Sequence, residues 1–324
     1  MIPVSQLQSQ VNDYIAKLDY SRPPVGLYAP IEYVLSLGGK RIRPLLMLMA
    51  YNMYKEDVET ILPLAIGIET YHNYTLLHDD LMDKADMRRG KETVHKRWDE
   101  NAAILSGDTM LVLAYKMMAQ CKNEYLKEVL DLFTETALEI GEGQQYDMEF
   151  EERQDVTEKE YLEMIRLKTS VLLAASLKIG AILGGASKED ADCLYNFGIR
   201  LGLAFQLQDD YLDVYGDPKV FGKKIGGDIL CNKKTYMLIN ALQLADKEQR
   251  EKLLYWINAE DYNAEEKVKS VTELYDAIGI KQLCNSKIEA YFLQAENCLN
   301  QVSLPSEKKA LLNEYAFSLM GRNV

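Results

Sequence analysis

Apolar residues recur at helical spacing over most of the chain. Leu7, Val11, Tyr14, Ile15 and Leu18 share one face of a helix predicted from Gln6 to Leu18, which Pro23-Pro24 ends. A second helix runs to Leu37, and Pro44 to Tyr54 is apolar enough to be buried throughout. Leu62 to Met82 reads as one long helix, the polar segment Lys91 to Asn101 as a loop, and helical patterning resumes over Ala102–Cys121, Leu126–Phe150, Glu158–Leu183 and Lys188–Tyr215. From Asn240 to Val324 the pattern is amphipathic helix with charged connectors. Strand-like alternation, solenoid repeats and linkers are not evident. The expectation is a single all-α domain over residues 1–324.

Two places break the pattern with acid. In Leu76-Leu77-His78-Asp79-Asp80-Leu81-Met82-Asp83, the carboxylates follow an apolar run, and at about 100° per residue Asp79 and Asp83 fall within roughly 40° of each other, with Asp80 alongside. Phe205-Gln206-Leu207-Gln208-Asp209-Asp210-Tyr211-Leu212-Asp213 repeats the Asp-Asp-x-x-Asp spacing, with Gln206, Asp209, Asp210 and Asp213 in one stripe that would ordinarily be apolar. Like charges this close raise one another's pKa unless a cation lies between them. Each motif alone also suits a solvated acidic helix edge; two in one chain favour a shared magnesium site on facing helices, held through oxygen ligands.

Cations are grouped as well. Gly38-Gly39-Lys40-Arg41-Ile42-Arg43-Pro44 is a tight turn presenting three cations before a helix that starts with proline. Arg88-Arg89-Gly90 follows the first acid motif, and Gly222-Lys223-Lys224 and Lys233-Lys234 follow the second. Lys168-Thr169 interrupts an apolar helix, where a buried lysine needs an anion. His72 lies two turns before Asp79 on the same face. A His-Asp phosphohydrolase would need more histidines than His72, His78 and His95. The small and polar run Gly141 to Asp147 is expected to line a polar cavity.

Composition narrows the partners. The chain has 324 residues, 48% apolar and 27% charged, and a formal charge of −13, which argues against nucleic acid and confines any phosphate site to a local basic cluster. Five scattered cysteines read as reduced thiols, and the N-terminus shows no signal-peptide pattern, so the expected location is cytoplasmic. No run of about twenty apolar residues is free of charge, so no membrane span is expected. Phosphate loops, dinucleotide loops and nucleophile elbows are absent. What remains is two carboxylate clusters for magnesium, cations to neutralise a diphosphate, and apolar walls suited to a hydrocarbon tail.

These motifs, in this order and spacing from about residue 30 to 240, resemble the trans-prenyl diphosphate synthases. The resemblance implies an all-α helical bundle with a deep central cavity, a homodimer, and three Mg²⁺ ions. By it, Asp79, Asp83 and Asp209 ligate magnesium, with Asp80, Asp210 and Asp213 in the inner or water-mediated shell. Arg88, Lys168 and Lys223 would grip an allylic diphosphate with help from Thr169, Gln206 and Lys233, while Gly39, Lys40, Arg43, His72 and Arg89 would hold isopentenyl diphosphate without metal. The implied reaction is ionisation of the allylic diphosphate, attack by the isopentenyl double bond and loss of a proton to the departing diphosphate.

Tyr71, Tyr74 and Thr75, below the first acid motif, are the expected floor of the tail pocket, with a short product, C15 favoured over C20. Two other classes share part of the logic. A terpene cyclase or head-to-head synthase would have no use for Lys40, Arg43 and Arg89, and a non-catalytic regulatory subunit would not need both acid motifs intact.

Overall fold

The computed structural model describes residues 1–217 and 225–320. In chain order its helices are α1 (Val4–Ala16), α2 (Val25–Ser36), α3 (Ile42–Asn52), a 3-10 turn (Val58–Ile61) and α4 (Leu62–Met82). After a short hairpin come α5 (Val94–Arg97), α6 (Glu100–Met118), α7 (Asn123–Glu152), α8 (Glu158–Ile165), a π turn (Arg166–Ser170), α9 (Val171–Gly184) and α10 (Lys188–Tyr215). The chain continues through α11 (Gly227–Leu230), α12 (Tyr236–Leu244), α13 (Lys247–Asn258), α14 (Ala264–Ile278), α15 (Ile280–Gln301) and α16 (Ser306–Met320). The all-α expectation holds.

The chain divides into two compact units. The first comprises Met1–Glu135, Ala175–Leu194 and Ser303–Leu312; the second comprises Thr136–Ala174, Tyr195–Val302 and Asn313–Val324. Helices α7, α9, α10 and α16 contribute residues to both.

In the first unit α3 is buried from Pro44 to Asn52, as its unbroken apolar run requires. It reaches α9 at Gly180, where an added Cβ would collide with the Met47 carbonyl. Helix α4 lies along α6. Gly67 faces Met117 and Ala114, and Gly107 makes room for the His78 ring, so two glycines let the helix that carries the first acid motif come close to its neighbour.

The segment read as a loop from Lys91 is partly ordered otherwise. Met87–Arg88 pairs antiparallel with Lys91–Glu92, in the register Met87 with Glu92 and Arg88 with Lys91. Arg89 (φ 51°) and Gly90 (φ 73°) make the turn, both in the left-handed region that a two-residue hairpin demands. Asp99 caps α6 by accepting the Ala102 N–H at 2.8 Å, so that helix begins inside the segment expected to be loop.

In the second unit the predicted helix Glu158–Leu183 is not continuous. Thr157 and Glu160 form a capping box at its start, and the backbone widens to a π turn over Arg166–Ser170 before α9. Gly143 of α7 closes on the Lys168 backbone, and Gly202 of α10 closes on Ser170, where a Cβ would come within 2.6 Å of Cα. Gly143 therefore serves close helix approach, while Gly141, Glu142, Gln145 and Tyr146 beside it are exposed. The expected polar cavity lining reduces to the half-buried Gln144 and Asp147.

One stretch, Glu158–Gly184, is long and apolar enough by composition to cross a membrane, although Lys168 and Lys178 lie within it, so that it is not free of charge. Most of its apolar window is buried inside the protein, which is what a core helix shows.

Candidate active site

The first acid motif closes α4. Asp79 and Asp80 occupy its last turn and Asp83 is the C-cap, with the Asp83 N–H donating to the Asp79 carbonyl at 2.9 Å. Three carboxylates at a helix C-terminus oppose the partial negative charge of that end, an arrangement that a bound cation relieves. Asp80 turns inward and is buried. Arg88, placed by the hairpin, donates from Nε to both Asp80 oxygens at 2.8 Å and from Nη2 at 2.7 Å, and its Nη2 stands 3.7 Å from Asp79. Burial still holds the Asp80 carboxyl above its ordinary range despite Arg88.

A basic basin lies in the same unit. Arg41, in the left-handed region at φ 52°, is buried and donates to Glu69 at 2.6 Å and to the Leu35 carbonyl at 2.8 Å. That clamp holds the Gly38-Gly39 turn from inside; from outside, the Arg89 guanidinium lies over Gly39 and donates to the Gly38 carbonyl. Arg43 donates to His72 Nε2 at 3.0 Å, and its own Nε is buried with no hydrogen-bond partner among the described residues. Burial, opposed by the Glu69 charge and reinforced by Arg89, lowers Arg43 to about 10. His72 is pushed well below the usual histidine range by burial and then by Arg43, Arg89, Arg88 and Arg41. Four guanidiniums thus act on one imidazole in a chain of charge −13. Gly39, Arg43, His72 and Arg89, singled out in the sequence, belong to this basin.

The second motif lies in the second unit. Asp210 and Asp213 are buried and Asp209 half-buried. Asp210 accepts from the Tyr161 hydroxyl and from Gln206 Nε2 at 3.3 Å. Burial, and the Asp228 charge after it, push Asp210 up to about 7. Asp213 accepts the Asp228 N–H on its carboxylate at 2.9 Å and the Gly226 N–H on its carbonyl at 2.6 Å. The π turn supplies the cation foreseen there: Lys168 pairs with Asp147 at 2.6 Å, and Thr169 donates to Gln206 at 3.3 Å. Lys233 acts electrostatically on both Asp147 and Asp210. Lys223 lies outside the described residues.

Among the described residues no three His, Cys, Asp or Glu side chains are gathered closely enough to hold an ion unaided. That fits magnesium, which takes one or two carboxylates and completes its shell with water and substrate phosphate. Asp80 and Asp210 are each buried, and burial is the main reason that each is raised.

Sequence reasoning did not assign Asp147, Tyr161, Asp228, Arg41 or Glu69. Of these, Arg41 was visible only as one of three cations in the Gly38-Gly39 turn and Asp147 only as part of a polar run. Of the residues expected to floor the tail pocket, Tyr71 is buried and packs tilted on Tyr74 (5.4 Å between centroids) and edge-on to Phe133 (5.2 Å), while Tyr74 also meets His78 at 4.8 Å. Thr75 donates to the His72 carbonyl at 2.8 Å.

A helical fold with diphosphate-scale basic and acidic clusters defines the class, and the comparisons agree with it. The chain matches the polyprenyl synthetase family over residues 24–275. It is 42% identical over 248 residues to a geranylgeranyl diphosphate synthase of Methanosarcina mazei, spanning 75% of this chain and 76% of that one. It is 40% identical over 272 residues to a short chain isoprenyl diphosphate synthase of Methanocaldococcus jannaschii, spanning 84% and 81%. A crystal structure of a geranylgeranyl pyrophosphate synthase superposes with a TM-score of 0.94 at 41% identity, covering 100% of both chains. The chain belongs to the polyprenyl synthetase family and is an enzyme of the trans-prenyl diphosphate synthase type.

Proposed function

We propose that the enzyme condenses isopentenyl diphosphate head-to-tail with an allylic diphosphate in a magnesium-dependent reaction, and that the basin around His72 receives isopentenyl diphosphate. The observation that carries this is the basic cluster there: Arg43 donates to His72, the Arg89 guanidinium lies over Gly39, Arg41 and Arg88 act on the same imidazole, and the buried Arg43 Nε, without a hydrogen-bond partner among the described residues, is a donor awaiting an acceptor. A cyclase needs no second diphosphate site.

Asp79, Asp83 and Asp209 would hold magnesium, which would supply positive charge to stabilise the diphosphate as the C–O bond breaks. Lys168 and Lys233 neutralise what remains on the allylic diphosphate, and Thr169 and Gln206 orient it, with Lys223 assigned the same task by the sequence pattern. Arg43 and Arg89 fix the isopentenyl diphosphate so that its double bond is presented to the allylic carbon, and the departing diphosphate takes the proton.

The product proposed is C20, one isoprene unit beyond the C15 favoured by the sequence pattern. Tyr74 sits about 140° around α4 from Asp79 and is drawn sideways onto Tyr71 and His78, while small Thr75 lies within about 40° of it. The geranylgeranyl names of the relatives support the same length. A homodimer is proposed on the exposed α6 face, where Leu105 and Val112 lie two turns apart and Ile104 beside them, with a second copy as the occupant. A cytoplasmic location is proposed from the scattered spacing of the five cysteines, which form no Cys-x-x-Cys pair.

Mass-resolved product analysis with isopentenyl diphosphate and dimethylallyl, geranyl or farnesyl diphosphate tests the reaction. The expected result is C20 product only with magnesium and both substrates. Consumption of an allylic diphosphate alone would favour the cyclase, and a purified protein inert until a second subunit is added would favour the regulatory role.

A further inference from the structure

The segment after Asn240 looks chemically featureless in sequence, yet it contains a fully buried lysine. Lys267, in the first turn of α14, is 1% exposed. Among the described residues it makes no ion pair: its ammonium donates to Asn232 Oδ1 at 2.8 Å and stands 4.2 Å from the centroid of the Tyr262 ring. Burying an ammonium against neutral partners is costly, and a methionine would fill the same space without that cost.

Its partner is unusual too. Asn232 has φ 52°, in the left-handed region that asparagine tolerates better than most residues. Its amide is held at both ends, since Nδ2 donates to the Ile257 carbonyl at 3.0 Å while Oδ1 accepts from Lys267. The next residue is Lys233, whose N–H donates to the Asp228 carbonyl at 2.9 Å and whose carbonyl accepts the Thr235 N–H at 2.8 Å. Helix α14 braces this turn at two further points. Val268 fills the space beside Gly226, which has no Cβ and lies at φ 83°, and the Tyr262 hydroxyl just ahead of the helix donates to the Leu230 carbonyl at 3.3 Å.

We infer that Lys267 is a positioning residue for allylic diphosphate binding: by fixing the Asn232 amide it locks the left-handed turn that aims Lys233. This deepens the assignment of Lys233 as an allylic-diphosphate contact made above and rests on it. Lys267 touches no substrate. Its ammonium acts through Asn232, so its loss loosens Lys233 and leaves the isopentenyl basin of the first unit unaltered.

Steady-state kinetics of Lys267→Met, Asn232→Gly, the double variant and Lys233→Ala test it. Asn232→Gly keeps a residue at ease in the left-handed region and removes only the amide, so it probes the same link from the other end. The expected result is a KM for the allylic diphosphate raised about tenfold in Lys267→Met and in Asn232→Gly, with kcat and the KM for isopentenyl diphosphate within about twofold in both, a double variant no worse than either, and a raised allylic KM in Lys233→Ala. A merely structural lysine would shift both KM values and kcat together. An unchanged allylic KM in Lys267→Met or Asn232→Gly, or effects that multiply in the double variant, overturns the inference while Lys233→Ala still raises the allylic KM. An unchanged allylic KM in Lys233→Ala overturns the assignment beneath it as well.

Discussion

At the scale of single residues, His72 is fixed in one state by its neighbour. A guanidinium has donors and no acceptor, so the 3.0 Å contact from Arg43 requires an unprotonated Nε2. The folded protein therefore holds His72 neutral, with its pKa well below the usual value, whereas the unfolded chain protonates it near pH 6.5. A base whose folded pKa is depressed contributes full stability above the unfolded pKa and loses it as pH falls through about 6.5, by at most about 1.4 kcal/mol per pH unit. Denaturant titrations of the wild type and His72→Gln at pH 7.5 and about 5.5 should show a smaller loss in the variant; parallel losses would contradict this picture. The acids behave differently. Asp79→Ala or Asp209→Ala is expected to lower turnover by about a thousandfold or more, with far-UV circular dichroism unchanged, because each removes a proposed metal ligand and no apolar packing.

These acids and the cations beside them were legible in the sequence because they stand where a helix stripe would otherwise be apolar. Asp147, Tyr161 and Glu69 were not. Each matters for a partner 21, 49 or 28 residues away along the chain, and only the tertiary fold brings those partners together. Lys267 was missed because one lysine among the charges of an amphipathic helix carries no sign of burial.

Among the elements, the π turn is the feature that places Lys168, the proposed allylic-diphosphate contact. Apolar periodicity reveals a helix from Glu158 onward but not a change in hydrogen-bond register within it, so the widening over Arg166–Ser170 was unreadable. The two glycines that admit it were visible only as residues disfavoured in helices. Gly143→Ala would press a methyl group into the Lys168 backbone, which has no side-chain freedom to yield. The expected cost is about 1–3 kcal/mol in denaturant unfolding, with a fall in kcat/KM for the allylic diphosphate. Gly141→Ala, two residues away in open space on the same helix, should instead stabilise by about 0.5–1 kcal/mol and leave kinetics alone. The hairpin at Arg88-Arg89-Gly90 was likewise hidden, since two residues per strand are too few to show alternation.

For the whole molecule, the account sets local charge against global charge. A chain of net −13 repels anionic substrates at long range, so capture of a diphosphate must be decided at short range by preorganised cations. The two proposed diphosphate sites solve this differently: one through magnesium on carboxylates, the other through the arginines around His72 alone. The most direct test is calorimetric titration of isopentenyl diphosphate into the protein in excess chelator. Binding without any divalent ion is expected, weakened at least about a hundredfold in Arg43→Ala. Binding that appears only when magnesium is added, or that survives Arg43→Ala unchanged, would contradict the account.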